Sequence, residues 1–271
     1  MQALSWEAAV ETLRCDPAAG ALVRACYYDD PLEAAAARFY ASTEWAATRV
    51  LLPPAGRALE LGAGRGIASC ALARDGWQVT ALEPNPGRIV GAAAIKSLAH
   101  DSALAIDVVE EWGEKLPFGD ASFDLVYCRA VLHHARDLGE LCSEAARVLK
   151  PNGMLCAVRE HVISSHADLP AFLQAHPLHH LYGGEHAYLL VEYRDALLAA
   201  GFEIAKQLGP FTSDINLFPE TMSGVRDRIA SRLHLPVAAW IPLVSLRVLD
   251  WTSNAPGRHY SFIARKPEAR R

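Results

Sequence analysis

Residues 58–86, "ALELGAGRGIASCALARDGWQVTALEPNP", decide the fold. An apolar run enters a glycine-rich turn, a helix-like run follows, and a second apolar run ends on Glu83. Glycines at 62, 64 and 66 let the backbone turn tightly and approach a ligand closely. A dinucleotide fingerprint requires a third glycine three residues after the second, and Ile67 stands there instead. The spacing is therefore Glu60-x-Gly62-x-Gly64-x-Gly66. Glu83, at the end of the next strand, is placed to accept hydrogen bonds from both ribose hydroxyls of a nucleoside.

Outward from this stretch the pattern alternates. Strands are predicted at "RALELGA", "WQVTALEP", "ALAIDVVE", "SFDLVYCRAV" and "MLCAVREHV", with helices between them, including "PGRIVGAAAIKSLAH" and "DLGELCSEAARVLKPNG". Such β-α alternation predicts an α/β fold, a parallel sheet covered on both faces. Ligands of open sheets bind at the carboxyl ends of the strands, which groups Gly62–Gly66, Glu83, Trp112, Cys128–Ala130 and Glu160–His161. The regularity stops after the fifth strand. "FEIAKQLGPF" and "RHYSFIARKP" read as further strands, the latter closing the sheet. The expected organisation is one domain over 1–271: a helical lid at 1–52, a core at 53–163, and lid insertions at 164–190 and 214–256.

The bulk numbers exclude several classes. Net charge is −5, with no basic excess to neutralise phosphates, so no nucleic-acid partner is expected. The "KPEARR" tail is too short to change that. "DDP" at 29–31 superficially suggests an amino-methylating DNA enzyme, but it lacks the following aromatic and precedes the glycine turn. The six cysteines are scattered without a CxxC pair, which predicts buried free thiols rather than a disulfide or zinc framework. The N-terminus lacks a signal-peptide pattern, and "LPVAAWIPLVSLRVLDW" is too short and interrupted to span a membrane. A cytoplasmic protein is expected; oligomeric state is not readable.

Four segments in order, "ALELGAGRG", "ALEPN", "LPFGDASFDLVYCRAVLHHARD" and "EAARVLKPNGML", resemble class I S-adenosylmethionine-dependent methyltransferases. The likeness is to the small-molecule group that includes the ubiquinone and menaquinone enzymes, and it covers about 56–161. It implies a Rossmann-like, doubly wound, mostly parallel seven-stranded sheet with an antiparallel closing strand and helical lid insertions. The cofactor it implies is S-adenosyl-L-methionine, with S-adenosyl-L-homocysteine as product and a small-molecule acceptor as partner. Glu60, Gly62, Ala63, Gly64 and Gly66 would line its methionine and ribose side, and Glu83 would hold the ribose hydroxyls beside Pro84 and Asn85. "EWGEKLPF", with Trp112, Gly113 and Glu114, would border the adenine. Many relatives carry aspartate where Trp112 stands; here Trp112 would stack on the ring or lend its backbone N–H, or Glu111 would supply an acceptor. Cys128, Arg129 and Ala130 would contact the methionine end, with His133 close by.

Methyl transfer from a sulfonium needs alignment and water exclusion above all, and a base only where the nucleophile must lose a proton. Candidate bases or positioning groups are His133, His161, His179 and His180. Candidate substrate contacts are Tyr28, Glu160, His161, Tyr182 and His186. The insertion "HADLPAFLQAHPLHHLYGGEHAY" puts His176 and His180 at i,i+4 spacing, but Pro177 lies between them and no zinc motif matches, so no metal is expected. Tyr182-Gly183-Gly184 suits a moving lid. O-methylation is the first expectation, with N- and C-methylation open. The rival readings are an NAD(P)-dependent oxidoreductase, opposed by Ile67 and the absence of a Tyr-x-x-x-Lys pair, and a catalytically silent cofactor-binding relative.

Overall fold

The computed structural model describes residues 4–234 and 237–268. Parts of three expected segments, 1–3 of the N-terminal lid, 235–236 of the second insertion and 269–271 of the tail, lie outside the described residues.

The strands in chain order are β1 (Arg57–Leu61), β2 (Gln78–Leu82), β3 (Ile106–Val109), β4 (Phe123–Arg129), β5 (Leu149–Ile163), β6 (Tyr188–Leu189), β7 (Glu203–Leu208) and β8 (Arg258–Arg265). They form one sheet in the order β3-β2-β1-β4-β5-β8-β7, with β6 paired to the end of β5. β1 to β5 run parallel, whereas β8 is antiparallel to both β5 and β7. The chain winds outward from β1 through β2 to β3, then crosses to the other side of β1 at β4. A crevice therefore opens above the carboxyl ends of β1 and β4, the position where such sheets bind ligands.

Side-chain alternation builds the two faces. On β4, Val126 and Cys128 pack toward the helix Leu138–Val148, while Leu125 and Tyr127 pack toward the helix Ile67–Arg74. All four residues are fully buried. Polar side chains cap several helices in the expected way: Ser5, Ser42 and Asp137 each accept a backbone N–H from the first turn.

Three local readings need correction. The sheet has an eighth strand, the two-residue β6, hidden in the sequence because it leads directly into the helix Leu190–Ala199. The helix of "DLGELCSEAARVLKPNG", expected to stop at its Pro/Gly pair, already ends at Val148, and Leu149 pairs with Phe123, because a residue before proline avoids the helical region and Pro151 follows Lys150. The helix expected over "PGRIVGAAAIKSLAH" spans only Ala92–Asp101, since residues 85–91 fold back on the glycine turn, Gly91 N–H donating to Gly64 O at 2.9 Å. Of the cysteines, Cys70, Cys128, Cys142 and Cys156 are buried, while Cys15 is exposed and Cys26 half-buried; none is disulfide-bonded. No described helix is long and apolar enough to cross a membrane.

Candidate active site

A cavity of about 710 Å³ lies above the carboxyl ends of the strands, within the range that small-ligand sites occupy. Its floor comes from Leu61 and Gly62 at the end of β1, Leu82–Asn85 at the end of β2, Arg129–Val131 at the end of β4, and Arg159 and His161 on β5. Its roof comes from Trp6, Leu13, Leu22 and Tyr28 of the N-terminal segment and from His176–Leu178, Tyr182 and Glu185 of the first insertion. The two roof pieces touch: the Trp6 and Tyr182 rings lie 4.7 Å apart, and Leu4 N–H donates to Leu181 O at 3.0 Å.

Glu83 dominates one end. Its carboxylate accepts from Gly64 N–H at 2.7 Å and Asn85 N–H at 3.0 Å, is 7% exposed, and has its pKa raised by burial. A carboxylate offers about four acceptor positions, so two remain for a ligand. The glycine turn that feeds it depends on left-handed backbone, with φ of +59° at Gly62, +57° at Gly64 and +79° at Gly66. A Cβ at Gly62 would also lie 2.9 Å from Val131 Cγ2. Trp112 stands at the rim, half exposed, with the Arg136 guanidinium 4.1 Å from its ring centre. One face of that indole is thus already covered.

Charge is concentrated under the cavity. Arg129 grips Glu44 through two hydrogen bonds of 2.6 and 3.0 Å, and Arg159 Nη1 lies 4.0 Å from the same carboxylate. Burial lowers the Arg159 pKa; for Arg129 burial acts in the same direction, but the Glu44 charge and hydrogen bonds outweigh it and the pKa rises. The Arg65 guanidinium, between two turn glycines, donates to Tyr27 O and Asp29 O at 2.9 Å each and to Asp30 Oδ1 at 2.5 Å. It ties the N-terminal segment to the turn.

The opposite end is built from imidazoles and carboxylates. A bulge in β5 between Ala157 and Glu160, with Arg159 at φ +61°, re-aims the strand end. Glu160, fully buried, accepts from Val131 N–H and His133 N–H at 3.1 Å each and from His133 Nδ1 at 2.8 Å. His134 Nδ1 donates to Gly184 O at 3.1 Å, and His161 Nδ1 to Gly257 O at 2.9 Å. Burial holds the His133 pKa well below its usual value and that of His161 down to about 3, with neighbouring imidazoles adding to the effect. Both rings are therefore neutral at pH 7.

Several expected site residues share this cavity wall: Gly62, Glu83, Pro84, Trp112, Gly113, Glu114, Arg129, Ala130, His133, His161, Tyr28 and Tyr182. Others stand behind it. Glu60 points under the turn, where it accepts from the Ser69 hydroxyl and burial pushes its pKa up to about 8. Ala63 packs on Ala81 and Ile95, and Gly66 lies against Ile95. Gly64 reaches the site only through its N–H to Glu83, and Cys128 faces the core below. Glu160 acts from behind His133. His179 and His180 are not among the residues lining the cavity, His180 Nε2 lying 2.6 Å from Gln174 O, and His186, also outside the wall, lies tilted against the Tyr188 ring. The alternation of strands could not reveal His259, which joins the wall because β8 sets it opposite His161. Nor did any motif mark Glu44, Arg65 or Trp6.

Residues 59–157 match the family described as a methyltransferase domain. The ubiquinone biosynthesis O-methyltransferase of Azorhizobium caulinodans is 30% identical over 158 residues, 56% of this chain and 61% of that protein. The chain therefore spans about three fifths of the length of that curated relative. Among solved structures, the cyclase SpnF superposes with a TM-score of 0.57 at 22% identity, over 82% of this chain and 80% of that one. A geranyl diphosphate methyltransferase solved with GPP and sinefungin gives a TM-score of 0.58 at 14% identity, over 82% and 76%. These structures share the fold; one fold serves different reactions, so the chemistry rests on the site.

Proposed function

We propose that this chain, whose residues 59–157 match a methyltransferase domain, is a class I S-adenosylmethionine-dependent methyltransferase that transfers a methyl group to a small-molecule acceptor. The observation that carries this reading is the buried Glu83 carboxylate, fixed by two backbone donors at the cavity wall with its remaining lone pairs free for ribose hydroxyls. On the cavity floor at β4 and β5, two arginines share one carboxylate, Glu44, which leaves a net positive charge suited to the carboxylate of an amino-acid-bearing cofactor. The cofactor, when bound, supplies a sulfonium methyl whose leaving group is already activated.

The chain's own contribution is alignment and shielding. Leu61, Leu82 and Leu141 give the cofactor end an apolar lining, and Trp6, Tyr28 and Tyr182 cover the cavity from water. The imidazole end faces the acceptor. Neutral His133 and His161 have their Nδ1 atoms anchored and, among the described residues, Nε2 atoms that make no hydrogen bond, so this end offers lone pairs that orient an acceptor hydroxyl; with pKa values held so low, the two rings position the acceptor rather than keep its proton. That arrangement favours O-methylation. The N-terminal segment and the first insertion serve as the lid.

Calorimetric titration tests the reading. S-adenosylmethionine and S-adenosylhomocysteine are expected to bind at micromolar Kd, with Glu83→Ala weakening both at least tenfold. Binding of NADH with neither of these would overturn it.

A further inference from the structure

We propose that Glu185, together with the histidine pairs His133/His134 and His161/His176, forms a binding site for a divalent first-row transition metal ion at the acceptor end of the cavity. The Glu185 carboxylate is buried, and among the described residues it accepts one hydrogen bond, from Tyr182 Oη at 2.8 Å. Imidazole nitrogens surround the rest of it. His133 Nε2 and His134 Nε2 lie 3.8 and 3.9 Å from Oε2, and His176 Nδ1 lies 3.6 Å from Oε1. Donor atoms of His133, His134 and Glu185 lie within 4.8 Å of one another, as do those of His161, His176 and Glu185.

These separations are too long for hydrogen bonds. They sit slightly above the spacing of about 3.4 Å between ligands held near 2.1 Å from a tetrahedral ion. Side-chain tautomers strengthen the case. Gly184 O and Gly257 O are acceptors only, so His134 and His161 must place a proton on Nδ1 to make their bonds. Glu160 performs the same service for His133, the carboxylate–histidine support common behind metal ligands. In the neutral ring each Nε2 then carries a lone pair. His176 Nδ1 is buried with no hydrogen-bond partner. The Nε2 lone pairs of His133 and His134 therefore face Glu185 Oε2 with no hydrogen bond between them, a repulsive arrangement that a cation resolves. Nitrogen and carboxylate donors of this mix suit zinc, manganese, iron or cobalt.

The ligands come from four separate places: the turn after β4, the end of β5, the segment around His176, and Glu185 just before β6. No local sequence motif joins them. His133 and His134 face Oε2 and His176 faces Oε1, so the site holds one ion or two with the carboxylate bridging. Its role in the reaction rests on the methyl-transfer reading above: an acceptor hydroxyl bound there sheds its proton at lower pH. Metal binding itself does not depend on that reading.

The full chain, stripped with chelator and dialysed, is titrated with Zn²⁺ by calorimetry and with Co²⁺ by visible absorption. One or two equivalents are expected, with a nitrogen-coordinated Co²⁺ spectrum. Glu185→Gln and His176→Ala should each weaken binding by about 10- to 100-fold. Thermal melting and S-adenosylhomocysteine titration of the same variants establish that they are folded and that the cofactor end is intact. Absence of binding to the folded wild type, or binding unchanged in both variants, would overturn the site. Loss of S-adenosylhomocysteine binding in the wild type would overturn the methyl-transfer reading and leave the metal result standing.

Discussion

Arg129 and Glu44 form a two-point ion pair, 2.6 and 3.0 Å, in which the carboxylate is wholly buried. Arg159 leans on the same group from 4.0 Å. Removing the carboxylate leaves two buried guanidinium groups facing each other without compensation. Glu44→Gln is therefore expected to lower stability by about 3–5 kcal/mol. Urea denaturation of the variant checks this, and a midpoint equal to that of the wild type would contradict it.

The turn glycines are not equivalent. Gly62→Ala brings a Cβ within 2.9 Å of Val131 Cγ2 and also forces alanine into φ +59°. Gly64→Ala meets only Val90 Cγ1 at 4.0 Å, so backbone strain is its main cost. The second change should cost about 1–2 kcal/mol and the first measurably more. Thermal melts of both variants, with titration of S-adenosylhomocysteine, are expected to rank Gly62→Ala as the more damaged.

Glu60 gives a pH signature. Its carboxyl sits under the turn with its pKa raised by burial from an ordinary 4.5 to about 8, the Ser69 hydroxyl bond offsetting part of the rise. The folded chain holds that proton more tightly than the unfolded chain. This contribution is complete below pH 4.5 and is lost as pH rises toward 8. Glu60→Gln keeps a neutral, hydrogen-bonding side chain at every pH. Melting temperatures of the two proteins should coincide near pH 4.5 and separate by about 5 °C or more at pH 8, the variant being higher. Parallel curves over that range would show that the carboxyl does not titrate there.

Trp112 lies half exposed at the cavity rim with one face against Arg136. A purine docking on its free face would change its emission. S-adenosylhomocysteine is expected to quench the fluorescence, with most of the change lost in Trp112→Phe and affinity reduced about 5- to 10-fold. Quenching that survives the substitution would move the reporter to Trp6.

The core was legible because its signals are local. Apolar runs, turn glycines and an acid at a strand end lie within 30 or so residues of one another, and Glu83 meets Gly64 as the β1-turn-β2 pattern requires. The acceptor end was less legible because its contacts are long-range. His161 faces His259 through antiparallel pairing, and Glu185, in the first insertion, approaches His133 in the turn after β4. The sequence offers His179 and His180 as candidate bases or positioning groups, yet on the short helix His179–Tyr182 neither lines the cavity. His176, which precedes that helix, reaches Glu185 instead. Glu60 belongs to a recognisable motif, but motif spacing does not distinguish a side chain that faces a ligand from one that braces the turn from below.

Arg65 stands between Gly64 and Gly66 and holds Tyr27, Asp29 and Asp30. Cradle and cover are thereby fastened by one side chain, so they are not interchangeable parts. Transplanting the first 50 or so residues from a relative to change acceptor preference would require moving the Arg65–Asp30 contact with them. Without it, a chimera would inherit a new cover with no post to hang it on.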